Sequence, residues 1–367
     1  MDGLNKGINI ISLDVPYPPN YGGVIDIWNK IDTLKKLKVD IYFHCFYYNR
    51  KPNKIIDRIC NKTFYYKRNM NFMNIFSKYP FIIKSRQNSE LIKNLSLNNY
   101  PILFEGLHTC YEIKNSSLAN RMKIIRMHNI EYKYYRGLSK FTNNPIKKIY
   151  YLLESIKLYK SEKLIKYANL ICAISDDEYK FYNNLHNNVI KLPVFHSFCQ
   201  SSKIKLSQYA IFHGNLSVSE NNYIALYLIN KIFNKLNFPL IIAGRKPSNR
   251  LKKAANKKSN VTLINNFNSN DLDKLISNAQ IHILPAFQNS GLKLKLINAL
   301  SSNGHVITNS YMLTDNILSQ LCNIVNTSDE MRDMILHVKK HQLSDLQIKE
   351  RKRILNKCYN NEKNAKF

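Results

Sequence analysis

Short apolar runs recur along this chain at regular intervals, each followed by a turn and then a helix-like segment, and this alternation constrains the fold more than any other feature. In the first half the candidate strands are 8–13, 39–46, 102–104, 123–127 and 170–173. In the second half they are 209–213, 240–243, 261–264, 281–284 and 305–308, with helices expected over 221–236, 248–256, 270–277 and 292–302. Strand-sized apolar runs interleaved with helical patterns predict parallel sheets covered by helices, an α/β architecture. At 367 residues the chain is long for one core, so two such units are expected. An irregular polar stretch that starts near Leu192 separates the halves. The chain therefore divides into a first domain over 1–195, a linker over 196–207, a second domain over 208–341, and a C-terminal helix and tail over 342–367 that frays into Asn and Lys. Within the first domain a helix is expected over 24–38. A longer one over 145–168 carries Ile149, Leu153, Ile156, Leu164 and Ala168 as its buried stripe. Ser175 and Glu178 have the spacing of a capping box.

Composition removes several function classes. No apolar run approaches the roughly 20 residues of a spanning helix, and the first apolar run leads into Asp14 and a proline-rich turn rather than a cleavage site. The seven cysteines are scattered and form no C-x-x-C pair, which argues against a disulfide framework or a zinc knuckle. A cytoplasmic protein is the expectation. The formal charge of +30 would attract polyanions. The lysines, however, are spread along the whole chain among Asn, Ile and Tyr, as in a chain encoded by AT-rich DNA, so no specific nucleic-acid partner is expected. Peripheral contact with an anionic membrane is compatible with the same charge.

In doubly wound domains ligands sit at the carboxyl ends of strands, so the loops after strands carry the functional expectations. The first loop ends in Gly22 and Gly23, where the backbone can approach a ligand and a helix start favours an anion. The second places His128 at the end of an apolar strand, where its ring can donate to a sugar hydroxyl or a reacting centre. The third holds Gly214 and Asn215, a close-approach backbone and a neutral donor. In the fourth, Ser290 and Gly291 lead into a helix whose first-turn amides would cradle a diphosphate. Lys293 stands in that first turn, where positive charge opposes the helix dipole and a bound anion would resolve the conflict. Asp271 and Asp273 have the D-x-D form of a metal-binding motif, but at a helix start they read as cap and dipole partner, with Asn270 or Asp271 as the N-cap.

Taken in order, these segments resemble the GT-B glycosyltransferases of family 4, retaining enzymes that use nucleotide sugars. Asn289-Ser-Gly-Leu-Lys-Leu-Lys-Leu-Ile-Asn-Ala-Leu300 is similar to that family's S-G-I-K-L-K-L-L-E-A-L motif, and His128-Asn-Ile-Glu131 to its T-H-N-I-E loop. Phe212-His-Gly-Asn-Leu-Ser resembles its F-x-G-N-L-S opening of the donor domain, and Ala243-Gly-Arg-Lys-Pro247 its A-G-R-x-P turn. The resemblance runs from about Ile8 to Val338. It implies two Rossmann-like domains facing across a cleft. The implied activity is hexose transfer from a nucleotide-diphosphate sugar to a lipid-linked or polysaccharide acceptor, with retained configuration. No metal or resident cofactor is implied. In that reading Gly22 and Gly23 lie beside the diphosphate and His128 contacts the donor sugar near the reacting carbon. Gly214, Asn215 and Arg245 line the nucleotide pocket, and Ser290, Gly291 and Leu292 present amides to the phosphates.

The chain departs from the family pattern at several positions. Asn298 stands where a glutamate usually accepts hydrogen bonds from the donor ribose, which predicts weaker donor affinity. Asn215 and Glu220 replace an arginine and a lysine, so Arg245 or Lys293 must supply the charge for the diphosphate. The alternative these departures motivate is a degenerate GT-B protein that binds nucleotide sugar or glycan without turnover.

Overall fold

The computed structural model describes residues 6–197, 207–288 and 294–366. Two all-parallel sheets form its frame. The first contains β1 (Gly7–Ser12), β2 (Asp40–Tyr47), β3 (Lys62–Lys67), β4 (Ile102–Glu105), β5 (Lys123–Met127), β6 (Leu170–Ala173) and β7 (Val189–Lys191), in the order β3-β2-β1-β4-β5-β6-β7. The second contains β8 (Ser207–His213), β9 (Leu240–Ala243), β10 (Val261–Ile264), β11 (Ala279–Ile283), β12 (His305–Thr308) and β13 (Asn323–Ile324), in the order β10-β9-β8-β11-β12-β13. Both sheets therefore reverse strand order beside their first strand, at β1/β4 and at β8/β11. Strands at those switch points are covered on both faces, and β4 and β11 are buried along their whole length. Ile10, Phe43, Phe104 and Ile125 anchor the first core, and Phe212, Ile242, Ile281 and Ile307 the second.

The α/β class and the strand alternation read from the sequence are what the structure contains. β3, β7 and β13 have no counterpart among the expected strands: all three are edge strands, and their mixed polar sequences lack an apolar run. The capping role expected for Ser175 is present, its side chain accepting from the Glu178 amide at the start of the helix Asp176–Asn183. In the helix Ser269–Asn278 the N-cap is Asn268 rather than Asn270 or Asp271. Asp271 completes the capping box, so the D-x-D segment is built into the helix start.

The long helix differs more. It ends at Ser161, and a 3-10 turn over Glu162–Tyr167 shifts the phase of the remaining stripe. Leu164 and Ala168 are buried as expected, but Ile149, Leu153 and Ile156 face solvent, while Glu154, Ser155, Leu158 and Ser161 form the inner face. Glu154 is held inside because its carboxylate accepts from the Phe81 amide at 2.5 Å and pairs with Lys157 at 3.0 Å.

Past the helix Asp345–Cys358 the chain does not fray. A last turn, Asn361–Asn364, docks on the first domain, and Ala365 packs against its core. Of the expected linker, residues 198–206 lie outside the described part.

Candidate active site

The carboxyl ends of β1, β4 and β5 converge on a buried group of charges. Asp26 and Lys30 lie one turn apart on the helix Gly22–Lys36, Glu105 ends β4, Arg126 lies in β5, and His128 follows it. Lys30 bonds Asp26 at 3.2 Å and also Glu105. Arg126 reaches Asp26 at 3.3 Å and the Pro193 carbonyl at 3.0 Å, and the Phe195 amide donates to Asp26 at 2.7 Å. Burial pushes the Asp26 carboxyl up, but Arg126 and Lys30 more than reverse this and hold it well below the usual carboxylate range. Glu105 is likewise held below its ordinary value, since Lys30 and His128 outweigh its burial.

His128 Nε2 lies 2.9 Å from Glu105 Oε2. An ionised carboxylate only accepts, so Nε2 carries a proton and donates to Glu105. One of the two ring nitrogens is thus engaged by Glu105. Gly106, the residue after Glu105, has φ of 76°, and a Cβ there would come within 2.9 Å of His108 Nδ1 and 3.4 Å of His128 Cδ2. Only glycine lets the β4 loop turn away so close beneath the two rings. Asp26, Glu105 and His128 offer ligating atoms within 4.8 Å of one another. Two cations already meet the carboxylates, so the group fits an ion-pair network rather than a metal centre.

On the opposite side of the cleft, β8 ends in buried His213, whose ring is driven down to about 3 by burial and by Lys295. A Cβ on Gly214 would come within 3.3 Å of the Asn221 side chain, so the backbone there is tightly backed. The Asn215 side chain is occupied locally, accepting from the Ser217 amide at 3.1 Å and hydroxyl at 2.7 Å. Arg245 is exposed, lies over the Phe267 ring at 5.7 Å and bonds the Phe267 carbonyl at 3.2 Å.

Glu220, an acid where the family resemblance leads one to expect a base, has a structural task. It accepts from the Phe287 amide at 3.0 Å and from the Gln288 side chain at 2.6 Å, clamping the loop after β11. Ser290, Gly291, Leu292 and Lys293 lie outside the described residues. Lys295, which the sequence ranks below Lys293, places its Nζ 3.1 Å from Asn221 Oδ1 and 5.1 Å from the Phe212 ring, beside the end of β8. Asn298, expected to face a ribose, instead has its Oδ1 2.5 Å from His196 Nε2.

These two halves meet. Gly22, in the first turn of the first domain's leading helix, lies so close to the start of the helix Leu294–Ser301 that a Cβ there would stand 3.7 Å from Leu294 Cδ1. Gly23 follows in the same turn, and neither an acidic side chain nor a side-chain cap occupies that helix start. Further along the cleft Gly137 is pressed onto Gln288, and the Phe141 ring meets Tyr223 in a tilted contact at 5.5 Å. On the other flank Lys191 bridges Asp176 at 2.6 Å and Asp315 at 2.7 Å.

Two parallel sheets of matching strand order, joined across such a cleft, recur in solved structures. Sucrose-phosphate synthase from Thermosynechococcus elongatus superposes with a TM-score of 0.72, 11% identity, and coverage of 98% of this chain and 96% of its own. The chain has the GT-B fold. Two further GT-B structures agree. An E. coli trehalose-6-phosphate structure bound with UDP-2-fluoro glucose gives a TM-score of 0.67 at 10% identity, covering 98% of this chain and 97% of that one. An S. aureus TarM variant in complex with Fondaparinux, alpha-GlcNAc-glycerol and UDP gives 0.65 at 12% identity, covering 98% of both. No family model matches the sequence. A Klebsiella pneumoniae relative, described as an uncharacterized 44.6 kDa protein in cps region, is 27% identical over 321 residues, 83% of this chain and 82% of its own. No helix among the described residues is long and apolar enough to cross a membrane.

Proposed function

We propose that the protein is a glycosyltransferase that moves a hexose from a nucleotide-diphosphate sugar to a lipid-linked or polysaccharide acceptor, with retained configuration and without a metal. The observation that carries this reading is the approach of Gly22 to Leu294 across the cleft, which sets the first described turns of two helices beside each other. Amides and helix dipoles there are suited to an anionic diphosphate. Lys295 adds the positive charge that Asn215 and Glu220 do not. Lys293 is proposed as a second cation beside it, with the amides of Ser290, Gly291 and Leu292, and Arg245 reaches the nucleotide from the rim.

As the bond between the anomeric carbon and the diphosphate breaks, charge develops on the leaving oxygen, and preorganised amides and Lys295 stabilise it without reorganisation. His128, whose Nε2 is fixed by Glu105, is proposed to contact the donor sugar near the reacting carbon. The acceptor approaches along the first domain. The proposed setting is cytoplasmic, at the inner membrane surface.

The purified protein melted with UDP, GDP, ADP and their sugar conjugates tests the reading. Stabilisation by one base, followed by consumption of its sugar conjugate, is expected. Absence of any shift at millimolar nucleotide overturns it. A second reading is favoured by the engagement of Asn298 with His196 and of Glu220 with the β11 loop: a protein that binds nucleotide sugar or glycan without turnover. Stabilisation by a nucleotide sugar that is never consumed, with or without acceptor, would select it.

A further inference from the structure

The helix Pro145–Ser161 is amphipathic the wrong way round for a free surface. Ile146 is 78% exposed, Ile149 60% and Ile156 53%, with Leu152 and Leu153 beside them, while its inner face is built on Glu154, Ser155 and Ser161. Next to it the 3-10 turn Phe72–Phe76 exposes Phe72, Met73 and Phe76, the last by 77%. Lys157 joins the two, bonding Glu154 in its own helix and the Ile75 carbonyl of the turn. Two adjoining elements thus both carry exposed large apolar side chains, more than scattered surface residues account for.

Charge is arranged around this face with one sign. Between residues 145 and 167 the two carboxylates, Glu154 and Glu162, are buried, whereas Lys147, Lys148, Lys160, Lys163 and Lys166 are exposed. Burial pushes Glu162 up to about 8, so it does not neutralise its neighbours at ordinary pH. At the end of the helix a cavity of 300 Å³ is lined by Lys78, Lys114, Lys160, Lys163 and Lys166, between Tyr79 and Tyr167. Lys78 and Lys114 both lie over the Tyr79 ring, at 5.9 and 5.7 Å. No carboxylate is among its lining residues in the described part of the chain.

We propose that this face seats on an anionic lipid bilayer, with Ile146, Ile149, Ile156, Phe72 and Phe76 entering the acyl boundary and the lysine-lined cavity receiving lipid phosphate. Apolar side chains rimmed by lysine are what an interfacial helix requires. A second copy of the chain is a poorer occupant, because a two-fold contact would bring the same lysines together. The inference rests on the proposed setting at a membrane surface and gives it a location. The docked helix packs against the helix Glu131–Phe141, which starts three residues after His128 and presses Gly137 toward Gln288. A bilayer on this face therefore lies one helix layer behind the cleft.

The test is co-sedimentation of the full chain with vesicles of phosphatidylcholine alone or mixed with phosphatidylglycerol, without nucleotide sugar. Binding to the mixed vesicles only is expected, lost in high salt and not displaced by millimolar inorganic phosphate. The exposed double variants Ile149→Gln/Ile156→Gln and Lys160→Glu/Lys163→Glu should each weaken it by about tenfold while keeping the wild-type melting temperature. Wild-type protein that stays in the supernatant, variants that bind unchanged, or displacement by free phosphate would overturn the proposal. So would a concentration-dependent dimer abolished by the isoleucine variant. Failure here leaves nucleotide binding untouched, and His128→Ala, which disables the cleft, should bind vesicles as the wild type does.

Discussion

Glu131 lies fully buried at the start of the helix after the His128 loop, its carboxylate 3.2 Å from the Asn129 side-chain nitrogen. Burial pushes it from 4.5 up to about 7. A carboxyl raised in the folded state holds its proton longer there than in the unfolded chain, so its contribution to stability falls as pH rises through that interval. The expected cost of ionising it is on the order of 3 kcal/mol. Glu131→Gln, which removes the charge and keeps the side-chain carbonyl, should match the wild type near pH 4 and become the more stable protein by about pH 8. Urea unfolding of both proteins across that range reads the difference, and parallel curves would show that Glu131 does not titrate between them. A second expectation concerns Glu105. Glu105→Gln, next to Lys30 and His128, should lower kcat at least tenfold, the loss expected when a ring's orienting acceptor is weakened. It should shift the pH profile of any transfer activity without abolishing nucleotide binding, whereas an unchanged profile would make the pair structural only.

At the scale of elements, the helix Leu294–Ser301 brings Lys295 to the end of β8. Lys295→Ala should weaken nucleoside-diphosphate binding by about tenfold, as for one charge-assisted contact, with titration calorimetry as the readout. The sequence alone ranks Lys293 above it, from the conflict between a cation and the helix dipole, and the same titration on Lys293→Ala decides between them. How far the sequence can be read depends on the range of each signal. Strand alternation is local, so β1, β5, β6, β8 and β9 are legible from their apolar runs. Gly22, Gly214 and His128 are legible because each comes after such a run. The partnership of Asp26, Lys30, Glu105 and Arg126 is not, because only the β1-β4-β5 order makes residues 100 positions apart into neighbours. Glu220 shows the same limit: the sequence reads it only as an acid in the place of a family lysine, and its hold on the β11 loop appears only in the fold. The stripe on Pro145–Ser161 has the right period but the wrong face, because periodicity locates an apolar surface and does not say what covers it.

Across the whole molecule, the chain passes between domains twice. Asn298 is tied to His196, and the His196 backbone exchanges bonds of 2.9 and 3.2 Å with the Asn361 side chain. Arg351 fixes the intervening helix by bonding the Gly304 carbonyl at 2.8 Å. The helix Leu294–Ser301, the segment at His196 and the C-terminal turn therefore form one linked set. Removing residues 360–367 should lower the melting temperature by a few degrees, as expected for about two lost hydrogen bonds plus the buried turn. It should also make the chain easier to cleave by limited proteolysis. A truncated chain that melts and cleaves like the whole protein would show that the turn merely rests on the surface.

That turn also sets an order of events during synthesis. The first domain is threaded from the ribosome and begins to fold while the second is still untranslated. Yet part of its surface, beside Pro193 and His196, is finished only when Asn361, Asn364 and Ala365 arrive. Until then a nascent chain carries an incomplete first domain through the making of an entire second one.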